Sequence, residues 1–500
     1  MNTRTHVQVT SPTRTAPGLV HEHFPRAPHP QRATPVLIVV VALVLVLTAL
    51  LASGCTPASS AVVGAPAGQP ATLATQGENV SDVDLLVSFT YPHTREEMLE
   101  LLATTYPDTS EAAREAWLLL DTTETREIDG EVRYFLNVPE NLAFRDVELF
   151  RTKPESVSRY RDIYELIVPY IEAARSSDPL RPFAEPTTYT FTQSLAIPRE
   201  ELPAGGELEL WLPLPLEGGA QTGVVVHEME PLTYLSLPPS ITHDIGLLYM
   251  NVPLETLHTD LEASITFSYS RAPEYFTIDP QLVGTYDPQS ALYQMYTSSR
   301  ANTAVTPSIR AKAKEIVGGE TNPYLAAERI YRYVVNEVQY SLMPHLLAYP
   351  RGIPESVYVH ENRYGDCGAQ SMYFSALCRS VGIPARTTGG FQIFSGKPSG
   401  HFWAEFYLPH YGWIPVDTSA AQIAGYVPEV SEQERLAFED FFFGNLDPFR
   451  LVVQRDTDLE LIPRAGGTVL LPMAIQMPAA LCDNMGVMPG LVASEHYTIE

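Results

Sequence analysis

Apolar and polar residues follow different rhythms along this 500-residue chain, and the changes mark its segments. From Pro35 to Ala52 the only side chain that is not apolar is Thr48, so the run lacks the polar face a core helix would keep. Its 18 residues are about the minimum that crosses a hydrocarbon core. Small residues, Pro and Ser fill Thr56 to Gln76, with too little bulk to fold, and read as a tether. A helical period begins after Val83. Thr94 and Glu97 have capping-box spacing, and Met98, Leu101 and Leu102 follow on one face. Further helices are predicted over 110–120 and 160–175, with Pro169 expected to kink the second.

The period then drops to two. Tyr189 and Phe191 alternate with threonines, and Ala263, Ile265, Phe267 and Tyr269 alternate with Ser and Thr. Short runs at 208–211 and 224–226 lie between them, which suggests an antiparallel β-sandwich. Helical spacing returns over 308–317 and 323–338, where Ala326, Ile330, Tyr333 and Val334 share a face. A loop with three prolines is expected over 341–360, with His345 and His360 in surface or core roles.

After Cys367, the residues Ala369, Met372, Tyr373, Ala376 and Leu377 form a helical stripe, ended by Gly382 and Pro384. Cys367 therefore stands at a helix N-terminus, where free N–H groups and the macrodipole favour thiolate. Cys378 lies farther along the same helix, about 16 Å away at 1.5 Å per residue, beyond disulfide reach. Downstream, 401–408 and 413–417 read as strands joined by Pro409-His410-Tyr411-Gly412. Phe402, Ala404, Phe406, Leu408, Ile414 and Val416 mark the core face, so His401 and Asp417 are expected on the opposite, exposed one. An even loop would set Asp417 opposite Ala404, on the wrong face. The register consistent with burial pairs Leu408 with Gly412 and sets Asp417 against Trp403, diagonal to His401. It needs Gly412 in a left-handed bulge position. A helix-borne Cys with His and Asp on one strand face is the pattern of a thiol triad.

Charge separates the leader from the body. Residues 1–34 carry +3, so residues 35–500 must carry −30 to give the net −27. The basic side stays in the cytoplasm, so the remainder is expected outside the membrane. Small residues before Cys55 resemble a bacterial lipobox, with Ala52 where leucine is usual. Cys55 is thus a candidate lipidation site, and an uncleaved anchor is the alternative. The excess of 59 acids over 32 bases argues against nucleic-acid binding. Four cysteines supply neither a disulfide scaffold nor paired CxxC metal ligands, and neither a metal nor a cofactor is expected.

Taken together, Gly365-Asp366-Cys367, Gly382-Ile383-Pro384-Ala385-Arg386, His401-Phe402-Trp403-Ala404-Glu405 and Gly412-Trp413-Ile414-Pro415-Val416-Asp417 resemble the transglutaminase-like superfamily. These are relatives of papain-type thiol enzymes, and the match runs from about Ser308 to Ala421. Leu212-Pro213-Leu214-Pro215 and the stretch Phe441 to Arg450 resemble elements that flank this core in bacterial members. The resemblance implies an α+β fold, a papain-like transglutaminase core preceded by a β-sandwich and a small helical region. The expected segments are 1–34 n-region, 35–55 signal or anchor, 56–82 linker, 83–182 helical region and 183–272 sandwich. They continue as 273–307 connector, 308–425 core and 426–500 C-terminal extension. The resemblance makes Cys367 the nucleophile, His401 the base and acid, and Asp417 the residue orienting His401. The Cys367 N–H is expected to help hold the oxyanion, with Tyr340 as a candidate upstream partner.

The implied chemistry acts on peptide or protein amide bonds of the cell envelope through an acyl-thioester. Hydrolysis would make the protein a peptidase or amidase, and attack by an amine a protein-glutamine acyltransferase. The alternative is a non-catalytic envelope protein that binds peptide or scaffolds partners.

Overall fold

The computed structural model describes residues 87–88, 90–241, 243–345, 353–394, 398–464, 476, 478–482 and 494–499. The apolar run 35–52, Cys55 and the tether lie outside them. No helix among the described residues is long and apolar enough to cross a membrane.

The first helices follow their caps. In α1 (Arg95–Thr105) Thr94 and Glu97 complete the capping box, and Ser110 caps α2 (Glu111–Trp117). The expected helical region also contains a hairpin, β1 (Thr125–Ile128) with β2 (Glu131–Tyr134). Its two-residue turn is Asp129-Gly130, both at positive φ, the Asp-Gly hairpin signal. Then come α3 (Val138–Arg145), α4 (Val147–Arg151) and the 22-residue α5 (Pro154–Arg175), which continues through Pro169. Val157, Tyr160, Ile163, Ile167 and Ile171 form the buried stripe of α5.

Alternation gives strands β3 (Thr187–Ile197), β4 (Glu207–Pro213), β5 (Gln221–Glu230), β6 (Leu247–Pro253) and β7 (Leu261–Arg271). In β3 and β7 every second residue is buried, and Phe191 stacks on its partner Phe267 at 5.1 Å. Two short strands flank the core, β8 (Glu274–Tyr275) and, after α6 (Ala291–Thr297), α7 (Pro307–Val317) and α8 (Pro323–Glu337), β9 (Gln339–Tyr340). Part of the loop predicted over 341–360 is helix α9 (Glu355–Asn362). Pro354 caps it, and before a first turn the missing proline N–H costs nothing.

Strand β10 (Tyr364–Gly365) leads into α10 (Cys367–Ser380), followed by β11 (Ala385–Gln392), β12 (Ser399–Leu408) and β13 (Gly412–Val416). The pattern after Cys367 predicts one apolar face, yet all of α10 is buried, because α7, α8, α9 and the sheet enclose it. The chain ends through α11 (Thr418–Ala421), α12 (Glu432–Phe441), β14 (Asn445–Leu446), β15 (Arg450–Gln454), β16 (Ala479–Cys482) and β17 (Ser494–Ile499).

The C-terminal segment is built into the rest of the fold. Strand β15 closes the sheet β13-β12-β11-β15. Strands β16 and β17 become edges of the antiparallel sheets β16-β4-β6 and β17-β3-β7-β5. These two sheets share one core with Phe391, Ile393, Leu451 and Val453. The expected unit 183–272 is therefore incomplete without residues from beyond 426. A second core joins α5, α7, α8, α10 and the inner face of β12.

Candidate active site

Cys367 is the first residue of α10, and Asp366 caps the helix by accepting the Ala369 N–H at 3.0 Å. Two glycines let neighbouring side chains close around it. A Cβ on Gly368 would lie 3.2 Å from the Phe402 ring, and one on Gly365 2.8 Å from Val359. Cys367 is 6% exposed.

The hairpin adopts the register that burial requires. Leu408 pairs with Gly412 and Ala404 with Val416, so Asp417 continues onto the face of Trp403 and His401. Gly412 takes φ +88 with open space around its Cα, where the chain makes the bulge at no steric cost. His401 Nε2 then meets Asp417 Oδ2 at 2.7 Å. An ionised carboxylate only accepts, so Nε2 carries the hydrogen. Asp417 Oδ1 also accepts the Ala420 N–H at 2.9 Å and the Ser419 hydroxyl at 3.2 Å.

The face carrying these groups is not exposed as the alternation predicts: His401 is 2% and Asp417 0% exposed. Helix α5 lies against it, bringing Arg159, Tyr160 and Ile163 to the same cavity as His401. That cavity holds about 30 Å³, room for about two water molecules. Tyr340 and Tyr426 also line it, and both pack in one cluster with Cys367. Tyr340 is fixed there by strand pairing with Gly365 and by an edge-to-face contact with Phe144 at 4.9 Å.

Sequence reading misses the role of Arg450, which ends the stretch Phe441 to Arg450 that resembles an element flanking the core. Arg450 is fully buried, and its Nη1 donates to Asp417 Oδ2 at 2.6 Å. Its Nε and Nη2 reach Asp447 Oδ2 at 3.1 and 2.8 Å, and its guanidinium sits 5.1 Å over the Trp403 ring. Burial alone would raise the Asp417 carboxyl, but the charges of His401 and Arg450 outweigh it and hold Asp417 well below the usual carboxylate range. The available signal was an Asp–Arg pair three apart inside an aromatic run. Gln476 was also missed: its Nε2 donates to the His401 carbonyl at 2.7 Å. Cys378 is fully buried, and burial pushes its thiol well above the ordinary range, consistent with a structural role. Among the described residues no group of three or more His, Cys, Asp or Glu could hold a metal.

The profile of the transglutaminase-like superfamily matches residues 310–418, which hold Cys367, His401 and Asp417. These residues belong to the transglutaminase-like superfamily. An uncharacterised protein of Haemophilus influenzae is 23% identical over 55% of this chain and 81% of its own length. A protein-glutamine gamma-glutamyltransferase of Pseudomonas aeruginosa is 27% identical over 29% of this chain, which is 23% of that protein. The periplasmic domain of TgpA from Pseudomonas aeruginosa aligns at 17% identity over 54% of this chain and 95% of that one, with a TM-score of 0.27.

Proposed function

We propose that this protein is a thiol enzyme acting on peptide or protein amide bonds through an acyl-thioester, with its folded body outside the membrane. One observation carries the reading: His401 on β12 and Asp417 just past β13 meet at 2.7 Å, and the tyrosines that line the cavity beside His401 share one packed cluster with a cysteine at a helix start.

The Cys367 thiolate attacks the amide carbonyl carbon, forming a C–S bond and moving the π pair onto oxygen. The Cys367 N–H, with Tyr340 as the candidate second group, stabilises that oxyanion. His401 Nδ1 holds the proton that Cys367 gave up while Asp417 holds Nε2, and it passes that proton to the departing amine as the oxyanion pair re-forms the C=O bond and the C–N bond breaks. In the second half His401 removes a proton from the incoming nucleophile, and the thiolate leaves. Water makes the protein a peptidase or amidase, and a primary amine makes it an acyltransferase, as the name of the Pseudomonas relative states for that protein. Four lysines offer few amines for self-cross-linking, which favours hydrolysis.

Outward placement is supported by the charge asymmetry about 35–52. Membrane attachment, by lipid on Cys55 or by an uncleaved segment, belongs to the same proposal. The near-complete burial of Cys367 favours a second reading, a scaffold that uses the fold without chemistry. Comparing envelope-protein N-termini and isopeptides between wild-type cells and cells with Cys367→Ala decides between them. New termini or isopeptides that vanish in the variant support an enzyme, and identical profiles support the scaffold.

A further inference from the structure

A second histidine–carboxylate chain lies directly behind the nucleophile. His345 Nε2 is 2.8 Å from Asp366 Oδ2, and its Nδ1 is 2.9 Å from Glu355 Oε1. All three side chains are nearly or fully buried, at 4%, 3% and 0% exposure for His345, Asp366 and Glu355. The other oxygen of Asp366 is the cap of α10. His345 therefore touches, through one carboxylate, the turn whose first residue is Cys367.

The geometry suits a charged ring. Each ring nitrogen faces a carboxylate oxygen, and two ionised carboxylates can both be satisfied only by an imidazolium. Among the described residues no Lys or Arg forms an ion pair with Glu355 or Asp366. His345 is thus the cation of this group. Burial would lower it, but the charges of Glu355 and Asp366 outweigh that and hold it well above the usual histidine range. Burial, with the charges of Asp366 and Asp458, raises the Glu355 carboxyl, and the charge and hydrogen bond of His345 oppose that rise.

A carboxylate one residue before a nucleophilic thiol has two opposed effects. It fixes the helix start, which orients the N–H groups around Cys367. Its negative charge also disfavours a second anion beside it. We propose that His345 is a positioning residue for Cys367, locking Asp366 as the cap of α10 and offsetting the charge that Asp366 would otherwise set beside the thiolate. This rests on Cys367 being the nucleophile. Glu355, the first residue of α9, anchors His345 from the other side. The Ser356 hydroxyl accepts the Ala304 N–H at 2.9 Å and ties α9 to the neighbouring loop.

The test is the pH dependence of Cys367 alkylation by iodoacetamide in the full-length protein, followed by peptide mass spectrometry. Wild type, His345→Gln, Asp366→Asn and the double variant are compared. His345→Gln is expected to raise the inflection by about one pH unit, a tenfold loss of thiolate below it. On the Asp366→Asn background the same change is expected to shift the inflection less, because a ring facing one carboxylate instead of two is less fully protonated and no longer holds the cap. An unchanged inflection in His345→Gln, or an equal rise on both backgrounds, overturns the inference. Should His345→Gln not fold, Asp366→Asn decides alone: an unchanged or lowered inflection upholds the inference, and a rise overturns it. A wild-type inflection at or above the free-cysteine value of about 8.5 would instead overturn the nucleophile assignment itself.

Discussion

Replacing Arg450 with methionine removes the one cation that joins Asp417 to Asp447. The stem's packing is largely kept, while three charge-assisted hydrogen bonds, at 2.6, 2.8 and 3.1 Å, disappear. Both carboxylates are fully buried, so water cannot replace the lost partner. Breaking a buried pair from one side costs about 3–5 kcal/mol. At about 2.1 cal/mol/K of unfolding entropy per residue, a folded body of roughly 400 residues shifts by about 1.2 °C per kcal/mol, so Tm should fall by about 3–6 °C. Scanning calorimetry at pH 7 reads this directly. Arg450→Lys should fall in between, since an ammonium keeps the charge but not the planar fork.

The pH dependence gives an independent check. The folded pKa of Asp417 is depressed, so its contribution is present above the unfolded value of about 3.9 and is lost as pH falls toward the folded one. Without Arg450 the depression shrinks and there is less to lose. The Tm gap between wild type and Arg450→Met should therefore narrow below about pH 4. A gap under about 2 °C at neutral pH, or one that widens in acid, would refute the reasoning.

Two further pairs of substitutions test the strand geometry and the covering helices. A Cβ on Gly390 would stand 1.8 Å from the Leu451 carbonyl oxygen, so Gly390→Ala must displace β15, which carries Arg450. Gly412→Ala meets open space and bears only the positive-φ penalty of about 1–2 kcal/mol. Gly390→Ala should lower Tm more, and an equal drop would contradict the packing described. The N-terminal helices are tied over the site by Asn141, which bonds both the Leu342 N–H and carbonyl at 2.8 and 2.9 Å, and by Arg145 to Ser341 at 2.8 Å. Asn141→Ala with Arg145→Ala removes about 2–3 kcal/mol of closure, so labelling of Cys367 by a bulky maleimide should rise roughly thirty- to a hundredfold over that by iodoacetamide. No change would mean that these helices do not gate the thiol.

The hairpin register was legible because only one pairing kept Phe402 through Leu408 inside while Gly412 absorbed the extra residue. The start of α10 was legible through the stripe after Cys367, whereas the cap by Asp366 emerged only from the structure. Burial of the opposite face was not, since alternation on β12 reports one covered side and the second cover, α5, lies more than 200 residues earlier in the chain. Arg450 escaped for the same reason: a pair between residues 33 apart leaves no local period. His345 looked solitary because Glu355 and Asp366 reach it only once α9 and α10 have packed. Strands β16 and β17 are short edge strands, whose partners at 207–213 and 187–197 cannot be inferred from spacing.

In the proposed mechanism Cys367 is a thiolate nucleophile served by His401. Its alkylation rate by iodoacetamide should be measured from pH 4 to 10 in wild type and His401→Ala, with Cys378 as the internal buried reference. The account predicts an inflection well below about 8.5 for Cys367, moved upward in His401→Ala, while Cys378 reacts slowly throughout. An inflection at or above that value in wild type, or one that His401→Ala leaves in place, would contradict it.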